Sequence, residues 1–141
     1  MYSKILVALE NSAADQTLLR HIKELAKIHQ SHLLLVHVAD GWVARHFDEM
    51  LLQESEEMIK DRQYLQELAE AIASEGFEVS THLALGDPPK EILRVAEKER
   101  CDLIAMTSHG HRFFADILYG STIEEVRHKA STPILVVKWS R

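Results

Sequence analysis

The sequence predicts a doubly wound α/β fold: one five-stranded parallel sheet in the order 3-2-1-4-5, with helices on both faces. Three observations carry this. Short apolar runs alternate along the chain with stretches whose apolar residues recur at helical spacing. The first, second and fourth runs are continuous, as in strands covered on both faces, whereas the third alternates with polar residues, as in an edge strand with one face partly in water. Finally, 141 residues fit a single core spanning 1–141 and leave no room for a second domain.

The elements follow in order. Ile5 to Leu9 is the first apolar run and stops at Glu10-Asn11-Ser12. Ser12, with Asp15 three residues on, has the form of a capping box, and Leu18, Ile22, Leu25 and Ile28 continue at helical spacing. Ser31 to Val38 is the second strand. From Asp40 to Gly76 the pattern predicts a mobile lead-in, loosely amphipathic through Trp42, Val43, Phe47, Met50 and Leu51. A long helix in the register of Met58, Leu65, Leu68, Ala69 and Ile72 then runs to a stop at Gly76. Phe77, Val79, Thr81, Leu83 and Leu85 alternate with Glu78, Ser80 and His82, giving the third strand. Gly86-Asp87-Pro88-Pro89 turns the chain, with Asp87 as helix cap and the prolines in the first turn. Cys101 to Met106 and Pro133 to Lys138 are the fourth and fifth strands.

Composition excludes several classes. A net charge of −6 with scattered Lys and Arg gives no basic stripe for nucleic acid. No apolar stretch approaches the ~20 residues that cross a bilayer, and Met1-Tyr2-Ser3-Lys4 leads straight into a strand rather than a signal-peptide core. One cysteine, Cys101, forms no internal disulfide. The expectation is a cytoplasmic domain without membrane or nucleic-acid partners.

In an open sheet of this order, ligands bind beyond the carboxyl ends of the strands where the winding reverses, between the first and fourth. Glu10 and Thr107 to Gly110 would meet there. The stretch Met106 to Thr122 reads as strand, loop and helix start, with nine residues between Gly110 and Gly120, and Ser121-Thr122 following at once. Glycine admits close approach of backbone N–H groups, and a hydroxyl at a helix start sits beside unpaired amides, a combination suited to phosphate. The same residues, followed by Glu124-Glu125, also fit an ordinary capped helix start.

These segments, from Lys4-Ile5-Leu6-Val7-Ala8 through His37-Val38 and Gly86-Asp87-Pro88 to Pro133-Ile134-Leu135-Val136-Val137, resemble the universal stress protein family over essentially the whole chain. Nucleotide-binding members carry Gly-x2-Gly-x9-Gly-Ser/Thr, whose last three elements match Gly110, Gly120 and Ser121. The resemblance implies a Rossmann-like sheet, a homodimer through the C-terminal strand 133–138, and ATP or AMP on the rim, with Mg²⁺ arriving on the phosphates. Ala8, Leu9 and Glu10 would line the adenosine end, Val38 would meet adenine through its backbone, and Met106 and Thr107 would flank the ribose. Amides around Gly110, Gly120, Ser121 and Thr122 would hold the phosphates, with His111 and Arg112 either adding charge-assisted bonds or solvated. The chain departs from the pattern twice: Thr107 replaces the first motif glycine, and Glu10 the usual aspartate.

No Walker lysine loop, nucleophile elbow or zincin helix is present, and the His109-x-His111 pair has no companion ligands at metal spacing. The reading is a nucleotide-binding stress regulator without dedicated catalysis. A dimer working through protein contacts alone, and a slow nucleotide hydrolase, are the alternatives.

Overall fold

The computed structural model describes residues 1–39, 56–109 and 115–139. In chain order these form β1 (Lys4–Leu9), α1 (Ala14–His29), β2 (His32–Ala39), α2 (Glu56–Ser74), β3 (Glu78–Leu85), α3 (Pro88–Lys98), β4 (Leu103–His109), α4 (Ala115–Lys129) and β5 (Ile134–Trp139). The strands make one parallel sheet in the order β3-β2-β1-β4-β5, as the distribution of continuous and alternating runs requires. The predicted lead-in through Trp42, Phe47 and Met50 lies outside the described residues.

Alternation along the central strands builds two cores. Ile5, Val7 and Leu9 point to one face, where Leu18, Leu19 and Ile22 of α1 and Leu65 and Ile72 of α2 cover them. Leu6 and Ala8 point to the other, packed with Ile92, Val95 and Ala96 of α3 and Val126 of α4. Every residue from Ile5 to Leu9 is buried, which is why the run carries no polar residue. On β3, Val79 and Leu83 join the α1/α2 face, while Thr81 and Leu85 are exposed, so the predicted apolar stripe is only partly used.

Caps and stops refine the sequence reading. Ser12 Oγ accepts the Ala14 N–H at 3.3 Å while Asp15 accepts the Ser12 N–H at 3.3 Å, a local pair that holds the turn into α1, although the N-cap position itself is Ala13, which offers no side-chain cap. Asp87 caps α3 differently. Its side chain makes no capping hydrogen bond, Pro89 having no N–H to offer at the second helical position, and its carbonyl receives the Glu91 N–H at 3.0 Å as the first bond of the helix. Gly76 ends α2 with φ +97°, its N–H returning to the Ala73 carbonyl.

Two boundaries differ from expectation near the rim. β4 runs on to His109, since Thr107, Ser108 and His109 pair with Val137, Lys138 and Trp139 of β5; Thr107 therefore ends no strand. α4 begins at Ala115, before Gly120, because Ala115-Asp116-Ile117-Leu118-Tyr119 contains no breaker and one glycine inside a helix costs only about 1 kcal/mol. The unpaired amides of a helix are those of its first turn. Gly120, Ser121 and Thr122 therefore lie within α4 rather than at its start.

Candidate functional site: the rim between β1 and β4

β1 and β4 pair from Ile5↔Leu103 to Val7↔Ala105, after which β1 continues to Leu9 and β4 to His109 outside that register. On its other side β1 stays in register with β2 as far as Leu9↔His37. The sheet therefore opens between its two central strands at their carboxyl ends, the place where a doubly wound sheet receives a ligand.

Of the predicted nucleoside-end residues, Ala8, Leu9, Glu10, Met106 and Thr107 lie at or near the carboxyl ends of β1 and β4, and Val38 lies one strand away on β2. Ala8, Leu9 and Met106 are buried, their side chains committed to the two cores, so what they offer the rim is main chain. Val38 packs partly buried against the α3/α4 core. Glu10 is half-buried, and its Oε2 accepts the Ser12 hydroxyl at 3.2 Å. Thr107 is 3% exposed, and its Oγ1 is buried with no hydrogen-bond partner among the described residues. Its backbone is not among the left-handed residues, so its own conformation does not demand the glycine of the motif. Gly110, His111 and Arg112 lie outside the described residues. Gly120, Ser121 and Thr122 fall within α4.

Beneath the opening is a polar network that the sequence reading did not anticipate. Asp15 is fully buried. One of its oxygens takes the Glu10 N–H at 2.9 Å; the other takes the Asn11 N–H at 2.9 Å, the Ser12 N–H at 3.3 Å and the Tyr64 hydroxyl at 2.7 Å. Three consecutive amides after a first strand form a concavity suited to an anion, and here the chain's own carboxylate fills it. A phosphate is thereby excluded from the first βα turn. Burial first, then the hydrogen bond and charge of Asp15, hold the Tyr64 hydroxyl pKa well above its ordinary value.

The network continues along α2. Asn11, held at φ +61°, donates its side-chain N–H to Asp61 Oδ1 at 2.8 Å. Asp61 Oδ2 lies 3.4 Å from His37 Nε2, and His37 Nδ1 donates to the Leu9 carbonyl at 2.9 Å. The sequence did not announce it: Asp61 and Tyr64 are one turn apart in a helix otherwise rich in solvated charges, and Asp15 read only as the capping partner of Ser12.

A parallel sheet in this order, open between its first and fourth strands, defines a doubly wound α/β domain. Its family follows from comparison. The sequence profile of the universal stress protein family matches residues 1–138, and the chain belongs to that family. It is 30% identical to universal stress protein MJ0577 of Methanocaldococcus jannaschii over 98% of this chain and 96% of that protein. The solved structure of MJ0577 superposes with a TM-score of 0.84 at 29% identity, covering 100% of this chain and 99% of the other. The Bacillus subtilis universal stress protein YxiE is 28% identical over 98% of this chain and all of its own length. An Archaeoglobus fulgidus universal stress protein solved in complex with dAMP shares the fold, with a TM-score of 0.72 at 24% identity over 97% of this chain and 98% of that one. No helix among the described residues is long and apolar enough to cross a membrane.

Proposed function

We propose that this chain binds an adenine nucleotide, ATP or AMP, at the opening between β1 and β4, and serves as a cytoplasmic stress-response regulator whose occupancy alters the rim or the dimer surface. The observation that carries the reading is the parting of β1 from β4 beyond Val7↔Ala105, with Glu10 and Thr107 flanking the gap. In support, the same fold holds dAMP in the Archaeoglobus fulgidus protein and cAMP in another universal stress protein.

The division of labour follows from what each side of the gap has left to offer. With the amides of residues 10–12 committed to Asp15, the β1 side takes the nucleoside through Ala8, Leu9, Glu10 and Val38, with Met106 and Thr107 at the ribose. Phosphates belong on the β4 side, at Gly110, His111 and Arg112 and the first turn of α4, where a helix N-terminus offers unpaired amides and a favourable dipole. An acidic protein needs such local donors, lacking a broad positive field. Mg²⁺ would enter with a triphosphate. Nothing in the described site supplies an activated nucleophile, so the reading is binding rather than turnover.

Titration calorimetry with ATP, ADP and AMP, with and without Mg²⁺, tests this. Saturable binding that Gly110→Val abolishes is expected; absence of heat at millimolar ligand would leave a scaffold acting through protein contacts. The partly exposed Val136 on edge strand β5 favours a homodimer in either case.

A further inference from the structure

Two side chains of α2 do something that neither the motif nor the family resemblance assigns. Tyr64 and Asp61, one helical turn apart, both reach under the opening, and between them they touch every support of its nucleoside side. Tyr64 binds Asp15, which holds the Glu10, Asn11 and Ser12 amides. Asp61 binds Asn11 and faces His37, which holds the Leu9 carbonyl and immediately precedes Val38. We infer that Asp61 and Tyr64 are positioning residues, a brace from α2 that fixes the main chain of residues 9–12 and 37–38 in the shape that receives the nucleoside.

The physical case rests on what the turn would be without it. Asn11 is exposed and adopts a left-handed conformation that a non-glycine residue takes only at a cost. Asn11 reaches Asp61 and its backbone reaches Asp15, so the cost is met by contacts to two different elements. Leu9, Ala8 and Met106 have no side chain left to adjust to a ligand, and the recognition surface there is main chain. A surface of that kind binds well only if it is held in place before the ligand arrives, because ordering it on binding is subtracted from affinity. Asp61 is itself 6% exposed and Asp15 fully buried, so both carboxylates stand in a setting where their hydrogen bonds are strong and directional. Among the described residues the contacts of the brace lie on β1, β2 and the start of α1, so it serves the nucleoside side.

This inference rests on the nucleotide reading above, and the test separates the two. Affinities for adenosine, AMP, ATP and inorganic tripolyphosphate are measured by calorimetry on the wild type, Tyr64→Phe and Asn11→Gly. The first variant removes only a hydroxyl; the second cuts the link to Asp61 while glycine relieves the left-handed backbone, so neither is expected to unfold. Affinity for adenosine, AMP and ATP should fall by the same factor, about tenfold per lost link, with tripolyphosphate unchanged. Amide exchange at residues 10–12 should quicken in parallel without ligand. Unchanged nucleoside affinity in both variants overturns the brace and leaves the nucleotide reading standing, as does an equal loss for tripolyphosphate. No wild-type affinity for any adenine ligand overturns both.

Discussion

Tyr64 gives its hydroxyl proton to Asp15 across 2.7 Å, tying the middle of α2 to the first turn of α1. With the Glu10, Asn11 and Ser12 amides on the same carboxylate, Asp15 is a buried charge satisfied entirely by neutral donors. Asp15→Ala would remove the acceptor and strand four donors. Leaving one such group unpaired costs about 1–3 kcal/mol, and more when the lost partner was charged, so a loss of roughly 3–5 kcal/mol is expected by analogy with broken buried ionic contacts. Urea denaturation checks it; a loss under about 1 kcal/mol would mean the turn re-forms its hydrogen bonds elsewhere.

The same pair sets a pH dependence. The Tyr64 pKa is raised by burial and by Asp15, so the unfolded chain releases this proton at a lower pH than the folded one. The stabilisation is complete below the ordinary tyrosine value of about 10 and is lost as pH climbs beyond it. Cys101 acts in the same direction, its thiol pushed by burial from 9.0 to about 11, with its contribution draining away between those values. Denaturation series from pH 7 upward should therefore show alkaline weakening that Tyr64→Phe and Cys101→Ala each reduce. A wild type equally stable across that range would contradict both.

How far these relationships were legible in the sequence depends on range. The sheet order could be read because β1, β2 and β4 must be apolar on both faces and β3 need not be, and burial writes itself into every residue of a strand. The Ser12–Asp15 cap was equally local. Helix ends were less so: α1 and α3 stop at Gln30 and Arg100, both left-handed at φ +53° and +56°, with no glycine to announce them. At the candidate site, topology alone pointed to Glu10 and Thr107, at the ends of the first and fourth strands, whereas Ala8 and Leu9 came from the family resemblance. The start of α4 was misplaced because Gly120 was taken as a boundary, whereas the helix runs through it. The brace was not legible at all. It joins residues 49 and 50 positions apart, and nothing in the spacing of Asp61 and Tyr64 distinguishes a buried acceptor from a solvated helix face.

Thr107 yields a sharper forecast. Its Oγ1 is buried with no hydrogen-bond partner among the described residues. Thr107→Val keeps the β-branched shape and replaces that hydroxyl with a methyl group. The unligated protein should gain about 1 kcal/mol. If the hydroxyl is held in reserve for a ribose, nucleotide affinity should fall in the same variant, so stability and binding move in opposite directions. Thermal denaturation with and without AMP reads both; a variant less stable than wild type would show that the hydroxyl is satisfied in solution.

The last forecast concerns the edge of the sheet. β5 pairs only with β4, leaving its outer row of backbone donors and acceptors open to another chain. Ile134, Val136 and Lys138 alternate along one face. Ile134 packs against the α3/α4 core, while Val136, further along, is 42% exposed. Val137, on the opposite face, is buried against α1 and cannot serve a partner without unpacking the core. Any second copy meeting this edge therefore meets Val136, and a charge there would be desolvated at the contact, whereas in an isolated chain it would remain in water. Val136→Lys should accordingly leave the far-ultraviolet circular dichroism unchanged and halve the mass measured by sedimentation equilibrium, with Val136→Thr intermediate in dissociation constant. A monomeric wild type, or a lysine variant as dimeric as the parent, would remove β5 as the site of association.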